Sequence, residues 1–424
     1  MEGVPRRFRA VELLTAAVCV VSLAYFAHLW FRTLGVFWDT AVYERAAVDY
    51  ANGANPWHTD GLFHFVYHPL ILRVLAFLNG LVPLRLLLPA LTLAALVWVS
   101  RELLRASRSD PNPGPAGSGQ ARIIGPVQFL FALAVGGGFG GIGAPALMSG
   151  NLAPLLSFSL VAALIRGRYA TGVFSRYLPY AMILLFALIK PYLLLFLAVP
   201  VMLYERRVIA LVAVGVVVAL FGAIWVSFQM RWPDEYAQFF ANLRGATLGK
   251  GDLGYTVFHV FGALTHNVVL ALVLHTVVAG LLLALVQQFF KQKYAGREAP
   301  FLPHFLVLYL VLTLANPRMK EYDLFPALVG FFAVIGALSR WSAYLTLAAL
   351  LPTLFPLTAV LAPAFAVNHL LLFDPFGTWQ LVGLAVLGIT LLVAVLDGDR
   401  SVLAAADVIA GAPQADPGVN PFRK

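Results

Sequence analysis

One cysteine in 424 residues, Cys19, excludes any disulfide within the chain, and its place inside an apolar run gives it a packing role. Charge is as scarce: Asp, Glu, Lys and Arg make up 12% of the chain against roughly 25% in soluble globular proteins. With 61% hydrophobic residues, little is left from which to build a soluble domain. The glycine run Gly136, Gly137, Gly138, Gly140, Gly141 and Gly143 has neither strand context nor a following Gly-Lys-Ser/Thr, so it is no phosphate loop, and close helix approach is its default use. His58, His64 and His68 lack convergent carboxylates or thiolates, so no metal or other cofactor is expected. No Ser/His/Asp nucleophile signature and no internal repeat is visible.

What remains is a succession of apolar runs from Val11 to Leu396, each about 20 residues long, enough to cross a hydrocarbon core. The expectation is an all-α, polytopic membrane protein in a single transmembrane domain over 1–397. The polar, Pro/Gly-bearing segment 398–424 has the composition of a disordered cytoplasmic tail. The net charge of +9 comes from short basic clusters flanking apolar runs, which set topology and meet anionic lipid. No basic face for nucleic acid is visible.

The N-terminal apolar stretch from Val11 to Phe31, behind Arg6, Arg7 and Arg9, exceeds a signal-peptide core and reads as a retained first span. The residues that follow form an external loop over 32–81. Its stretch Phe63 to Leu81 is apolar, yet a crossing there would put Arg101, Arg105, Arg108 and Arg122 outside, so it is expected as a helix lying in the external interface. The block Tyr177 to Tyr204 stands between Arg166, Arg168 and Arg176 on one flank and Arg206 and Arg207 on the other. Keeping both clusters inside requires a hairpin with Lys190-Pro191 at its tip. Further spans are expected near 82–100, 123–145, 151–165, 208–227, 260–289, 300–315, 322–339, 341–362 and 378–397, with an external loop at 229–258. The count is about twelve, with both termini cytoplasmic.

On this topology the charged residues beside apolar segments gather on one external side, where ionisable groups near hydrocarbon mark a pathway or a site. Asp39, beyond the first span between Trp38 and Tyr43, suits a general base. Capping a short helix would use the same residue. Arg318, Lys320, Glu321 and Asp323, together with Lys190, could form an anion site, since arginine offers a planar fork for phosphate and lysine a point charge. A solvated turn with locally paired charges is the alternative. Trp57, Phe63, Phe65 and Tyr67 read as an interfacial aromatic belt.

The aspartate after the first span, the aromatic stretch from Tyr50 to Pro69, Gly150-Asn151, Lys190-Pro191 and Arg318-Met319-Lys320-Glu321-Tyr322-Asp323 together resemble the GT-C superfamily of membrane glycosyltransferases. Within it the chain looks most like family 87, the polyprenyl-phosphate-sugar-dependent mannosyl- and arabinofuranosyltransferases. The resemblance implies a GT-C-like architecture and an inverting, metal-independent transfer to a glycolipid or polysaccharide acceptor, at the periplasmic face of the bacterial inner membrane. It implies Asp39 as base and Lys190, Arg318 and Lys320 on the donor phosphate, with Tyr43, Asn151, Glu321, Tyr322 and Asp323 as further substrate contacts. Mannose stands ahead of arabinofuranose as the sugar. The late turn departs from the Ser-Pro-x-Ser-Trp-x-His-His pattern of mycobacterial members. A lipid-linked-sugar flippase would also use a basic cavity and is the competing class.

Overall fold

A computed structural model describes residues 37–57, 65–109, 149–169, 171–204, 206–245, 256–294, 299, 301–318, 323, 388–389, 392–393 and 395–396. The first span with Cys19, His58 and His64, the glycine run, the spans expected near 322–339 and 341–362, most of that near 378–397, and the tail lie outside the described residues. Every regular element among the described residues is helical: α1 Trp38–Ala51, α2 Pro69–Leu81, α3 Leu84–Ser109, α4 Leu152–Tyr169, α5 Val173–Ala187, a 3₁₀ segment Pro191–Leu197, α6 Ala198–Leu203, α7 Arg207–Arg231, α8 Pro233–Arg244, α9 Val257–Thr265, α10 Val268–Lys293 and α11 Phe301–Leu314. Four helices, Leu84–Ala106, Leu152–Tyr169, Arg207–Arg231 and Val268–Lys293, are long and apolar enough to cross a membrane. With the composition, they mark a membrane protein. α4 is 78% buried over its apolar window, whereas α7 and α10 are 11% and 17% buried, so α4 is an inner helix and the other two present broad apolar faces suited to lipid. α11 is buried along most of its length, from Phe301 to Leu314.

Two polar clusters define the ends of this bundle. At one end, Arg85 in the first turn of α3 forks onto Glu44 of α1 at 3.1 and 2.8 Å, and Asn151, just before α4, bonds Asp39 of α1 at 2.7 Å. At the other, Glu102 of α3, only 1% exposed, accepts from Arg105 at 2.8 Å, from Arg166 of α4 at 3.3 Å and from the Trp98 indole at 3.3 Å. α3 and α4 therefore run the same way, and the clusters around Arg105 and Arg166 share one end.

The block after α4 folds back on itself. Arg166 Nε donates to Ser175 Oγ at 3.1 Å at the start of α5, and the Tyr204 hydroxyl donates to Leu164 O at 2.6 Å just after α6. Both ends of the block thus sit beside the C-terminal end of α4. Gly167 permits this approach, since a Cβ there would fall 2.6 Å from Pro179 and 2.8 Å from the Tyr204 hydroxyl. Each arm rises only about 22 Å, less than a hydrocarbon core of about 30 Å. Lys190, between the arms, is carried to the opposite end.

α2 starts with Pro69 at its first position, and His68 caps it by accepting the Leu70 N–H at 3.2 Å on Nδ1. The helix stops at Val82, held extended before Pro83. At about 20 Å it is too short to cross. It is tied to α8, beyond the C-terminal end of α7: Arg73 pairs with Glu235 at 2.7 Å and lies 4.0 Å over the Trp232 ring, and Asn242 donates to Phe65 O at 2.7 Å. The 229–258 segment thus contains a helix, with Pro233 opening it, Asp234 and Glu235 in its first turn and Arg244 in its last. The single span expected over 260–289 is instead two helices. The chain turns left-handed at His266, φ 50°, and the Asn267 side chain caps α10 by accepting from Val269 N and Leu270 N at 3.0 and 3.1 Å.

Candidate functional site

Asp39 enters the site through backbone pairing rather than as a helix cap. The residue before α1 is Phe37, left-handed at φ 66°, and it leaves Asp39 N free to donate to Ser149 O at 2.9 Å. Thr40 Oγ1 donates to Gly150 O at 3.0 Å. Gly150 has φ +65°, and a Cβ there would collide with the Thr40 hydroxyl and stand 2.8 Å from the Phe37 ring, so only glycine fits this crossing. Asn151 then turns its amide to Asp39 while its Oδ1 accepts the Ala153 N–H at 2.8 Å and caps α4. The amide expected among the substrate contacts donates to the carboxylate expected as base.

One turn along α1, the Tyr43 hydroxyl meets the Tyr67 hydroxyl at 3.0 Å, both side chains buried. Trp57 Nε1 donates to Tyr67 O at 3.4 Å, and Phe65 packs edge-on to Tyr67 with centroids 5.5 Å apart. Trp57, Phe65 and Tyr67 are thus core residues, 3%, 0% and 8% exposed, and not an interfacial belt; Phe63 lies outside the described residues. Composition alone cannot separate the two, because aromatics suit either environment. Burial pushes the Tyr67 phenol far above its ordinary value, Asp39 and Asp323 push it further up, and Tyr43 and Arg318 pull it down. Asp39, Asp323 and Arg318, remote in sequence, therefore act on one hydroxyl. Tyr67 is one aromatic among several in the sequence, and its contact with Tyr43, 24 residues away, is what singles it out.

Lys190 Nζ lies 2.6 Å from Asp323 Oδ1, which also accepts from the Tyr192 hydroxyl at 2.6 Å. The two side chains are 11% and 2% exposed. Arg318 follows a tight turn in which Asn316 Oδ1 accepts the Arg318 N–H at 3.0 Å and Asn316 Nδ2 donates to Arg318 O at 2.9 Å. Lys320, Glu321 and Tyr322 lie outside the described residues. Asp323 is taken up by an ammonium and a phenol, while Asp39 is aimed by an amide. The two carboxylates thus stand in different surroundings, one beside a cation and one beside an amide.

The His68 ring is packed in the core. It is surrounded by Trp225, Phe228, Tyr236 and Phe239 at centroid distances of 4.9 to 6.2 Å. Burial pushes its pKa down to about 4.

No family model matches this chain, and no curated protein matches it in sequence.

Proposed function

We propose that the chain is an inverting glycosyltransferase that moves a sugar, mannose ahead of arabinofuranose, from a polyprenyl-phosphate donor to a hydroxyl of a glycolipid or polysaccharide. The observation that carries this reading is that Asp39, held by the Asn151 amide at 2.7 Å, and the buried Lys190–Asp323 pair at 2.6 Å both lie at the bundle end opposite the Glu102–Arg105–Arg166 cluster. Arginines flanking spans favour the cytoplasm, so the Asp39 end faces the periplasm or cell exterior of a bacterial inner membrane. A GT-C-like bundle of about twelve spans, with α2 and α8 at the external interface, is the architecture that accommodates it.

Asp39 accepts the acceptor hydroxyl's proton as that oxygen attacks the anomeric carbon from the face opposite the phosphate. The bond from the anomeric carbon to the phosphate oxygen breaks, its electron pair leaving with the phosphate, and the configuration inverts. Polyprenyl phosphate is a competent leaving group, so no second carboxylate acid is needed, unlike inverting hydrolysis. Arg318 and Lys190 meet the growing phosphate charge, with Lys320 as a third cation. The polyprenyl chain lies along apolar helix faces, where surrounding lipid already resembles it. Purified protein given labelled polyprenyl-phosphate-mannose or polyprenyl-phosphate-arabinose with membrane glycolipids tests this: one label should move into glycolipid, and movement of neither would refute it.

A further inference from the structure

The turn that presents Arg318 is tied to more of the molecule than ending a helix requires. α11 ends at Leu314, and the last carbonyls of any helix need partners. One such carbonyl, Ala315 O, lies 2.8 Å from Nε2 of His275 on α10. A carbonyl oxygen can only accept, so Nε2 of His275 donates. Its Nδ1 is buried with no hydrogen-bond partner. A leucine would fill this apolar position without stranding an acceptor, so the histidine is not explained by filling space. Pro317 O, two residues on, accepts the Thr256 hydroxyl at 2.7 Å. Asn316 closes both backbone groups of Arg318. The 315–318 turn is therefore held from two other parts of the chain, α10 and the start of α9, and from within by Asn316.

The depth of this turn adds to the argument. His275 lies seven residues into α10, about 10 Å below the helix start. His275, Thr256 and Asn316 are 4%, 4% and 1% exposed. The turn is thus recessed among helices, where charges are poorly screened and small displacements of a guanidinium change its interactions strongly.

We infer that His275 and Thr256 are positioning residues that hold the 315–318 turn so that Arg318 faces the phosphate of the donor. The inference rests on the proposed transferase reading and extends it to two residues that touch no substrate. His275 acts through Ala315 O and Thr256 through Pro317 O, and neither needs to change protonation.

The test is a binding cycle on the full chain in nanodiscs, with a short synthetic polyprenyl phosphate and the matching polyprenol as probes. The parent should prefer the phosphate. His275→Leu and Thr256→Val should each reduce that preference by about ten-fold while polyprenol affinity stays constant. In an Arg318→Ala background the same changes should have no further effect, and His275→Gln, which keeps an N–H near the Nε2 position, should recover most of the preference. A role confined to stability would not produce that coupling. If His275→Leu is not monodisperse, Thr256→Val carries the comparison, since it exchanges one hydroxyl for a methyl. A parent that prefers phosphate, with folded variants that bind as it does or lose as much in the Arg318→Ala background, overturns this inference alone. A parent indifferent to the phosphate overturns the transferase reading and this inference with it.

Discussion

Lys190 and Asp323, 133 residues apart in the chain, meet at 2.6 Å with both side chains almost wholly removed from solvent. A buried pair of this kind costs desolvation that its own attraction roughly offsets, so removing one partner is worse than removing both. Lys190→Met alone should destabilise the protein by about 3–5 kcal/mol, and Asp323→Leu alone by a similar amount. The Lys190→Met/Asp323→Leu double variant should recover much of that loss. Thermal unfolding in detergent reads all three, and strictly additive losses would show that the two charges do not depend on each other.

Asn151 is expected to act on Asp39 rather than on substrate. Asn151→Ala removes the 2.7 Å amide contact and the α4 cap together. The cap accounts for about 1 kcal/mol of stability. Asn151→Ser keeps a capping oxygen but does not present an amide to Asp39. Its turnover should fall by about ten-fold or more with KM for the acceptor little changed, because misdirection of a base weakens the transition state selectively. A rise in KM at unchanged kcat would return Asn151 to the substrate contacts.

Gly150→Ala tests the crossing of α1 with the turn before α4. Its positive φ and the Thr40 and Phe37 side chains leave no room for a Cβ. Loss of about 1–3 kcal/mol is expected from the backbone conformation, before the collision is counted. A melting temperature equal to the parent's would contradict the crossing as described.

His68 should make the α2–α8 contact sensitive to acid. Its folded pKa, about 4, lies below the ordinary 6.5, so the unfolded chain binds the proton more readily. The stability it contributes is complete above about pH 6.5 and is lost as pH falls from there toward 4. His68→Asn keeps a capping side chain and removes the titration. The parent should lose more stability than His68→Asn between pH 7 and 4.5, with a matching change in tryptophan emission from Trp225, whose ring lies 4.9 Å away. Equal losses in both proteins would exclude the effect.

Long apolar runs with basic flanks made α7 and α10 legible in the sequence, and the parity of arginine clusters made the hairpin around Lys190 legible as well. The break at His266 and Asn267 was not, because apolar residues continue on both sides and only a single capping asparagine marks it. At the site, Asp39, Lys190 and Arg318 stood out as charges against apolar segments. Their partners did not: the Asn151 amide, the Lys190–Asp323 pair and the Tyr43–Tyr67 contact join positions from 24 to 133 residues apart, and no local pattern encodes such distances. His275 resembles any core histidine until Ala315 O is placed against it.

In the proposed transfer from a lipid phosphate, Asp39 removes the acceptor's proton. The most direct measurement compares the parent with Asp39→Asn in single-turnover transfer of labelled sugar from polyprenyl phosphate to glycolipid, with donor binding measured in parallel. Asparagine keeps the side chain's size, so fold and donor affinity should stay near the parent's while the transfer rate falls by about 10²- to 10⁴-fold. Transfer by Asp39→Asn at a rate within a few-fold of the parent's would contradict the account.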